Sequence, residues 1–154
     1  MEESIREAFV QSVGKVLDNQ WHGDLELFSE TEKVLSTLNQ RFSLGIATAR
    51  IQDPNLLKAS LQAGIGSYFT TVCTRANSSI HWTDKSSQIA EALSEAKVTA
   101  EETVFVGDTP DDIRSAKEAG LGFSVAVRSG FILDEKLLEA EPDLLLDSVA
   151  NLVD

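Results

Sequence analysis

Three carboxylates crowd one short stretch of the chain. In "VFVGDTPDDIRSAKEAGL", Val104 to Leu121, Asp108 stands where an apolar run stops, and Asp111 and Asp112 follow Thr109-Pro110. Gly107 removes a side chain just before Asp108, so the backbone there can turn tightly beside a ligand. Thr109 suits a helix cap and Pro110 the first helical position, which puts Asp112 in the first turn. Asp108 and Asp112 then project toward one cleft. Two hard carboxylate oxygens on a short turn suit Mg²⁺, which takes few protein ligands and keeps its waters. Acidic residues also complement a positive helix terminus, and that is the preferred reading of Asp111. Asp108 ends a strand without a helix of its own to cap, which favours a functional reading.

Thr48 closes the apolar run "LGIAT" in the same way. A hydroxyl there, with the free N–H groups of the following turn, can hold a phosphate oxygen; a threonine bonding only its own turn is the alternative. Lys85 opens a helix, where the dipole disfavours a cation. A phosphate shared between the ammonium and that helix end would account for the choice, with a solvated lysine as the alternative. His22 and His81 have no partner at metal-ligand spacing and read as loop histidines. Trp82, Arg50 and Arg128 each allow a substrate contact or an ordinary structural role.

Elements must bring these residues together. Ile5, Phe9, Val13 and Leu17 recur every four residues and predict an amphipathic helix over 3–17. Ser29 and Glu32 form a capping box ahead of a helix carrying Val34, Leu35 and Leu38. A strand is predicted over 42–48, then a helix opening at Asp53-Pro54 and ending before Gly64. "YFTTVCT" (68–74) is rich in β-branched and aromatic residues and predicts a strand. A helix over 85–96, a buried strand at "TVFVGD" and a helix from Thr109-Pro110 to Gly120 follow. "FSVAVRSG" and "DLLLD" are further strands. Strands alternating with helices signal an open parallel α/β sheet, whose ligands bind beyond the carboxyl ends of the strands. Thr48, Thr74, Asp108 and the turn after Val127 lie at such ends.

The whole chain narrows the options. It has 154 residues, 42% of them apolar, and a net charge of −12. That is one ordinary globular domain with no basic stripe for nucleic acid. No apolar run approaches the ~20 residues of a membrane span. The opening "MEESIREAF" lacks the order of a signal peptide, so a cytoplasmic location is expected. The single cysteine, Cys73, cannot form an intrachain disulfide and reads as a buried structural thiol.

A strand-end threonine, a downstream lysine and "GDTPDD" 23 residues beyond it, in an alternating α/β chain, resemble the haloacid dehalogenase superfamily. The likeness is to its phosphoglycolate-phosphatase-like branch. "VFVGDTPDDIRSAKEAGL" is similar to that family's fourth motif, "LGIATAR" to its second and "DKSSQIAEAL" to its third; "EPDLLLDSVANL" resembles its final strand and helix. The resemblance implies Mg²⁺-dependent phosphoryl transfer through an aspartyl-phosphate, on a small phosphorylated molecule or orthophosphate. Thr48 and the backbone of Ala49 would bind phosphoryl oxygens, and Lys85 would neutralise charge. Asp108 would hold Mg²⁺, with Asp112 supporting the metal shell.

The family's first motif, an apolar strand ending Asp-x-Asp, has no counterpart in this sequence. Upstream of Thr48 the aspartates are Asp18 and Asp24. Asp18 follows "GKVL" in a stretch of helical period, and Gln20 stands where a second aspartate would fall. Residues 1–24 instead resemble a remnant of the family's α-helical cap and its linker, and 25–154 its core domain. The expected fold is thus a Rossmannoid, three-layer parallel sheet missing its usual central first strand. The two strands flanking the gap could pair directly, the N-terminal segment could refold into it, or a second chain could cover it. A homodimer is the expectation. Functionally, the chain is expected to be an inactive or nearly inactive hydrolase domain. An active phosphatase using Asp18 or a partner's carboxylate is one alternative, and a non-catalytic phosphate-binding or interaction protein is another.

Overall fold

The computed structural model describes residues 29–49, 64–75, 85–128 and 132–153. Among them run α1 (Thr31–Asn39), β1 (Leu44–Ala47), β2 (Phe69–Cys73), α2 (Ser86–Ala96), β3 (Val104–Gly107), α3 (Pro110–Glu118), β4 (Phe123–Val127), α4 (Asp134–Glu139) and β5 (Leu144–Leu146). Short 3₁₀ turns occupy Gly66–Tyr68 and Val149–Leu152. The predicted helix over 3–17, the cap remnant, Asp18, the helix opening at Asp53, Arg50, and His22, His81 and Trp82 lie outside the described residues.

The strands form two separate parallel sheets, β1-β2 and β3-β4-β5. In the first, Gly45 stands opposite Thr71 and Ala47 opposite Cys73. In the second, Val106 faces Val125, and Val125 faces Leu144. β1 and β3 therefore do not pair with each other among the described residues, which removes direct pairing as the way the gap is closed. Instead, residues of both strands line one cavity of about 460 Å³. The expectation of a buried strand at "TVFVGD" holds only in part, for the same reason. Val104 is 56% exposed, and the rest of β3 is half-buried, because one side of the strand looks onto that cavity.

β4 is the best-covered strand, with Ser124 to Val127 all buried. It lies between two neighbours and beneath α3. The core joins Ile113 of α3, Ala126 of β4, and Leu137 and Ala140 of the α4 region, with Leu145 packed against them. Local signals account for α3. Thr109 Oγ1 accepts the Asp112 N–H at 3.2 Å, and Pro110 opens the helix. Gly120, at φ +70°, ends it in the left-handed conformation that glycine adopts freely. A second tie sets β5 against β4: Asp143 Oδ2 accepts both the N–H and the hydroxyl of Ser124 at 2.7 Å. Those hydrogen bonds, the hydroxyl's first, hold the Asp143 carboxyl below its usual range.

Other expectations shift. The Ser29–Glu32 capping box does not form: α1 starts at Thr31, its N-cap is Glu30, and no side chain caps it. A start one residue later moves Ser29 out of capping reach. α4 has no counterpart among the expected elements, and the tail expected to be helical is a 3₁₀ turn. Among the described residues no helix is long and apolar enough to cross a membrane.

Candidate active site

Asp112 organises the end of β3. It is 1% exposed, and both its oxygens are engaged. Oδ2 accepts the N–H groups of Asp108 and Thr109, each at 3.2 Å, and Oδ1 accepts from Lys85 Nζ. One buried carboxylate thus completes the α3 capping box, fixes the main chain of Asp108 and neutralises a lysine from another helix. Gly107 makes room for it: a Cβ there would lie 2.7 Å from Asp112 Cγ and Oδ2. A side chain at 107 would push out the carboxylate that shapes the turn.

Lys85 is anchored twice to α3. It is the N-cap of α2, and its N–H donates to the buried Ser115 Oγ at 3.0 Å. The unusual placing of a cation at a helix start is answered by this carboxylate, which lies at the start of a neighbouring helix. The Lys85 side chain keeps 22% of its surface exposed, so the ammonium can still meet a ligand.

The Asp108 side chain is half-buried beyond β3, and no hydrogen bond among the described residues engages its carboxylate. Of the residues expected at the site, the structure brings Lys85, Asp108 and Asp112 together. Thr48 and Ala49 follow β1, both half-buried, and the Thr48 N–H donates to Cys73 O at 2.9 Å, which carries the ladder one step past the strands. Ser115 escaped the sequence reading, because a buried serine in an amphipathic helix gives no local sign of a partner 30 residues away.

Two other residues resolve into structural roles. Arg128 Nε donates to Asp134 Oδ2 at 2.9 Å and Nη1 to Asp147 Oδ1 at 2.5 Å, tying the ends of β4 and β5 to α4. Cys73 is buried, as expected, with Sγ 3.9 Å from Glu95 Oε2. Burial, then the charges of Glu95 and Glu91, push its thiol up to about 12.

Comparisons with known proteins bear on the family and the fold. A family model described as "Haloacid dehalogenase-like hydrolase" matches residues 1–126. The chain is 30% identical over 128 residues to the PpaX protein of Clostridium perfringens (strain 13 / Type A), covering 82% of this chain and 58% of that one. It is 29% identical over 135 residues to the pyrophosphatase PpaX of Bacillus velezensis, covering 83% and 60%. Among solved structures, one described as a predicted phosphoglycolate phosphatase from Haemophilus somnus 129PT superposes with a TM-score of 0.72 at 20% identity, over 91% of this chain and 61% of that one. The chain spans about three-fifths of the length of these proteins.

Proposed function

The chain belongs to the haloacid dehalogenase-like hydrolase family, and from that premise we propose that residues 25–154 carry the phosphate- and metal-holding part of a phosphomonoester hydrolase site. We further propose that this polypeptide by itself turns over little or no substrate. The observation that carries the reading is the cluster at the end of β3: Lys85 held by Asp112 beside the available carboxylate of Asp108.

The donor set fits one hard divalent cation. Asp108 offers an oxygen that no described neighbour uses, and Mg²⁺ accepts one or two carboxylates and fills its remaining positions with water. Both oxygens of Asp112 already accept hydrogen bonds, Oδ2 two of them and Oδ1 that of Lys85. In this reading Asp112 supports the metal position through the Asp108 main chain and the lysine it holds, beside any oxygen it offers the metal itself. When bound, the metal would supply charge neutralisation on a phosphoryl oxygen. Lys85 does the same from the other side. The Thr48 hydroxyl and the Ala49 N–H are the proposed donors to the remaining oxygens. These are the positioning and electrostatic parts of phosphoryl transfer.

The covalent part needs a nucleophilic carboxylate, and the sequence contains no Asp-x-Asp. Without an acceptor, the site binds and polarises phosphate but does not cleave the ester. The names of the relatives point to phosphorylated small molecules as the class of ligand. A cap remnant over 1–24 and a cytoplasmic location complete the proposal.

Hydrolysis of an aryl phosphate, with and without Mg²⁺, tests it. Background rates together with saturable, Mg²⁺-dependent orthophosphate binding by calorimetry are the expected result. Robust Mg²⁺-dependent turnover that disappears in Asp18→Asn would overturn the inactivity. Absence of any orthophosphate binding would overturn the site.

A further inference from the structure

A second group of metal-binding residue types, sharing no member with the site at the end of β3, joins β2 to α2. Glu91 and Glu95 stand four residues apart on α2, so both project from the same helix face. Cys73 closes β2, a strand that α2 packs against. The Cys73 sulfur and one carboxylate oxygen from each glutamate all lie within 4.8 Å of one another. Like charges at this helical spacing oppose each other. Among the described residues no basic side chain pairs with either glutamate. The sulfur is a separate sign. Cys73 is 2% exposed, its Sγ faces Glu95 Oε2 at 3.9 Å, and no N–H or O–H among the described residues donates to it. A buried sulfur with unclaimed lone pairs, turned toward two carboxylates that no described cation answers, has the makings of a ligand set.

We propose that Cys73, Glu91 and Glu95 form a site for one borderline-soft divalent cation of the Zn²⁺ class, which ties β2 to α2. The donors decide the class. A thiolate selects Zn²⁺ over Mg²⁺, and Zn²⁺ also accepts carboxylate oxygens. In a four-coordinate site, bonds of about 2.3 Å to sulfur and about 2.0–2.2 Å to oxygen set the donors roughly 3.5 Å apart. The 3.9 Å between Sγ and Glu95 Oε2 is already close to that. Both glutamates are exposed, and their rotatable side chains can close the rest. The sulfur is the buried floor of the site and the carboxylates its open rim, by which the ion enters and where water completes the shell. As the sulfur–metal bond forms, the thiol proton passes to solvent. The ion then links the last residue of β2 to two successive turns of α2, the helix that Lys85 caps.

The test titrates Co²⁺ into the full chain, reduced and stripped of metal, with excess Mg²⁺ present to compete at Asp108. The expected result is one Co²⁺ per chain with a near-ultraviolet sulfur-to-cobalt charge-transfer band, displaced by Zn²⁺. Cys73 is the only cysteine, so the band reports its thiolate. Glu91→Gln and Glu95→Gln should each weaken Co²⁺ binding about tenfold or more. Both positions are exposed, so these variants keep the fold. Asp108→Asn should leave band and affinity unchanged, which separates this site from the one at the end of β3. Zn²⁺ should also raise the urea midpoint of the starting protein, and not that of the double variant Glu91→Gln, Glu95→Gln. Absence of the band at saturating Co²⁺ would overturn the proposal, as would unaltered affinity in either glutamate variant. One ion for every two chains would overturn it too, by placing the metal between cysteines of two copies. A band that moves with Asp108→Asn would assign the cobalt elsewhere, and an unchanged urea midpoint would remove the tie between β2 and α2.

Discussion

Lys85 and Asp112 lie 27 residues apart in sequence and form an ion pair between the first turns of α2 and α3, while the same carboxylate caps the turn that carries Asp108. Removing Asp112 leaves the half-buried Lys85 ammonium unpaired and takes the acceptor from the N–H groups of Asp108 and Thr109. Asp112→Ala should lower the unfolding free energy by about 3–5 kcal/mol, the usual range for breaking such a pair. Urea denaturation measures it. A double-mutant cycle with Lys85→Met should return a coupling of roughly 1–3 kcal/mol; additive effects would show that the pair does not act as a unit.

Gly107→Ala should destabilise the protein by about 1–3 kcal/mol, because the new methyl meets the Cβ and the carboxylate of Asp112. The check is a second background. In Asp112→Gly the obstructing Cβ and carboxylate are both gone, and the same substitution should cost less than half as much. An equal cost in both backgrounds would place the clash elsewhere.

Asp108→Asn should leave stability within about 0.5 kcal/mol of the starting protein, since no described partner engages its carboxylate. Mg²⁺ affinity by calorimetry should nonetheless fall at least tenfold. Unchanged Mg²⁺ affinity would remove Asp108 from the metal position.

Asp143 titrates below its ordinary value of 3.8 because the Ser124 hydroxyl and N–H bond the ionised form. A carboxyl whose folded value is depressed stabilises the fold above its unfolded value and loses that contribution as pH falls through the folded one. Asp143→Asn should therefore be less stable than the starting protein at pH 7, and the difference should shrink as pH drops below about 4. Urea midpoints at both ends of that interval give the answer. A difference that stays constant with pH would mean that the serine bonds do not depend on the charge.

Cys73, pushed up to about 12, holds very little thiolate at pH 8. Its reaction with an aromatic disulfide reagent should be at least about a hundredfold slower in the native protein than in urea. Equal rates would show the thiol to be open.

The sequence was most readable where structure is decided locally. Thr109, Pro110 and Gly120 mark both ends of α3 within a few residues, and the helix lies where they place it. The Ser29–Glu32 box has the same local grammar but is out of register by one residue, which is enough to undo it. α4 has six residues, too few to establish a period. What the sequence could not show is long-range. Nothing near Lys85 announces Asp112 or Ser115. Nothing in "VFVG" tells whether a strand lies on both sides or one, because the same apolar run suits a central strand and an uncovered edge.

The division of the sheet also bears on how the molecule comes apart. No strand ladder joins β1-β2 to β3-β4-β5 among the described residues. Among them the larger links are α2, which lies on β1 and β2 and meets α3, and α1, which meets the 3₁₀ turn at Val149–Leu152. Among the described residues, the coupling between the halves thus runs through these helix contacts, with Lys85, Asp112 and Ser115 at one end. Loosening that junction would let each half melt on its own schedule, broadening the denaturation curve and lowering its apparent m-value before the midpoint moves far. The Lys85 ammonium proposed to meet a phosphate also belongs to that junction, so an anion bound there would be felt as mechanical unity.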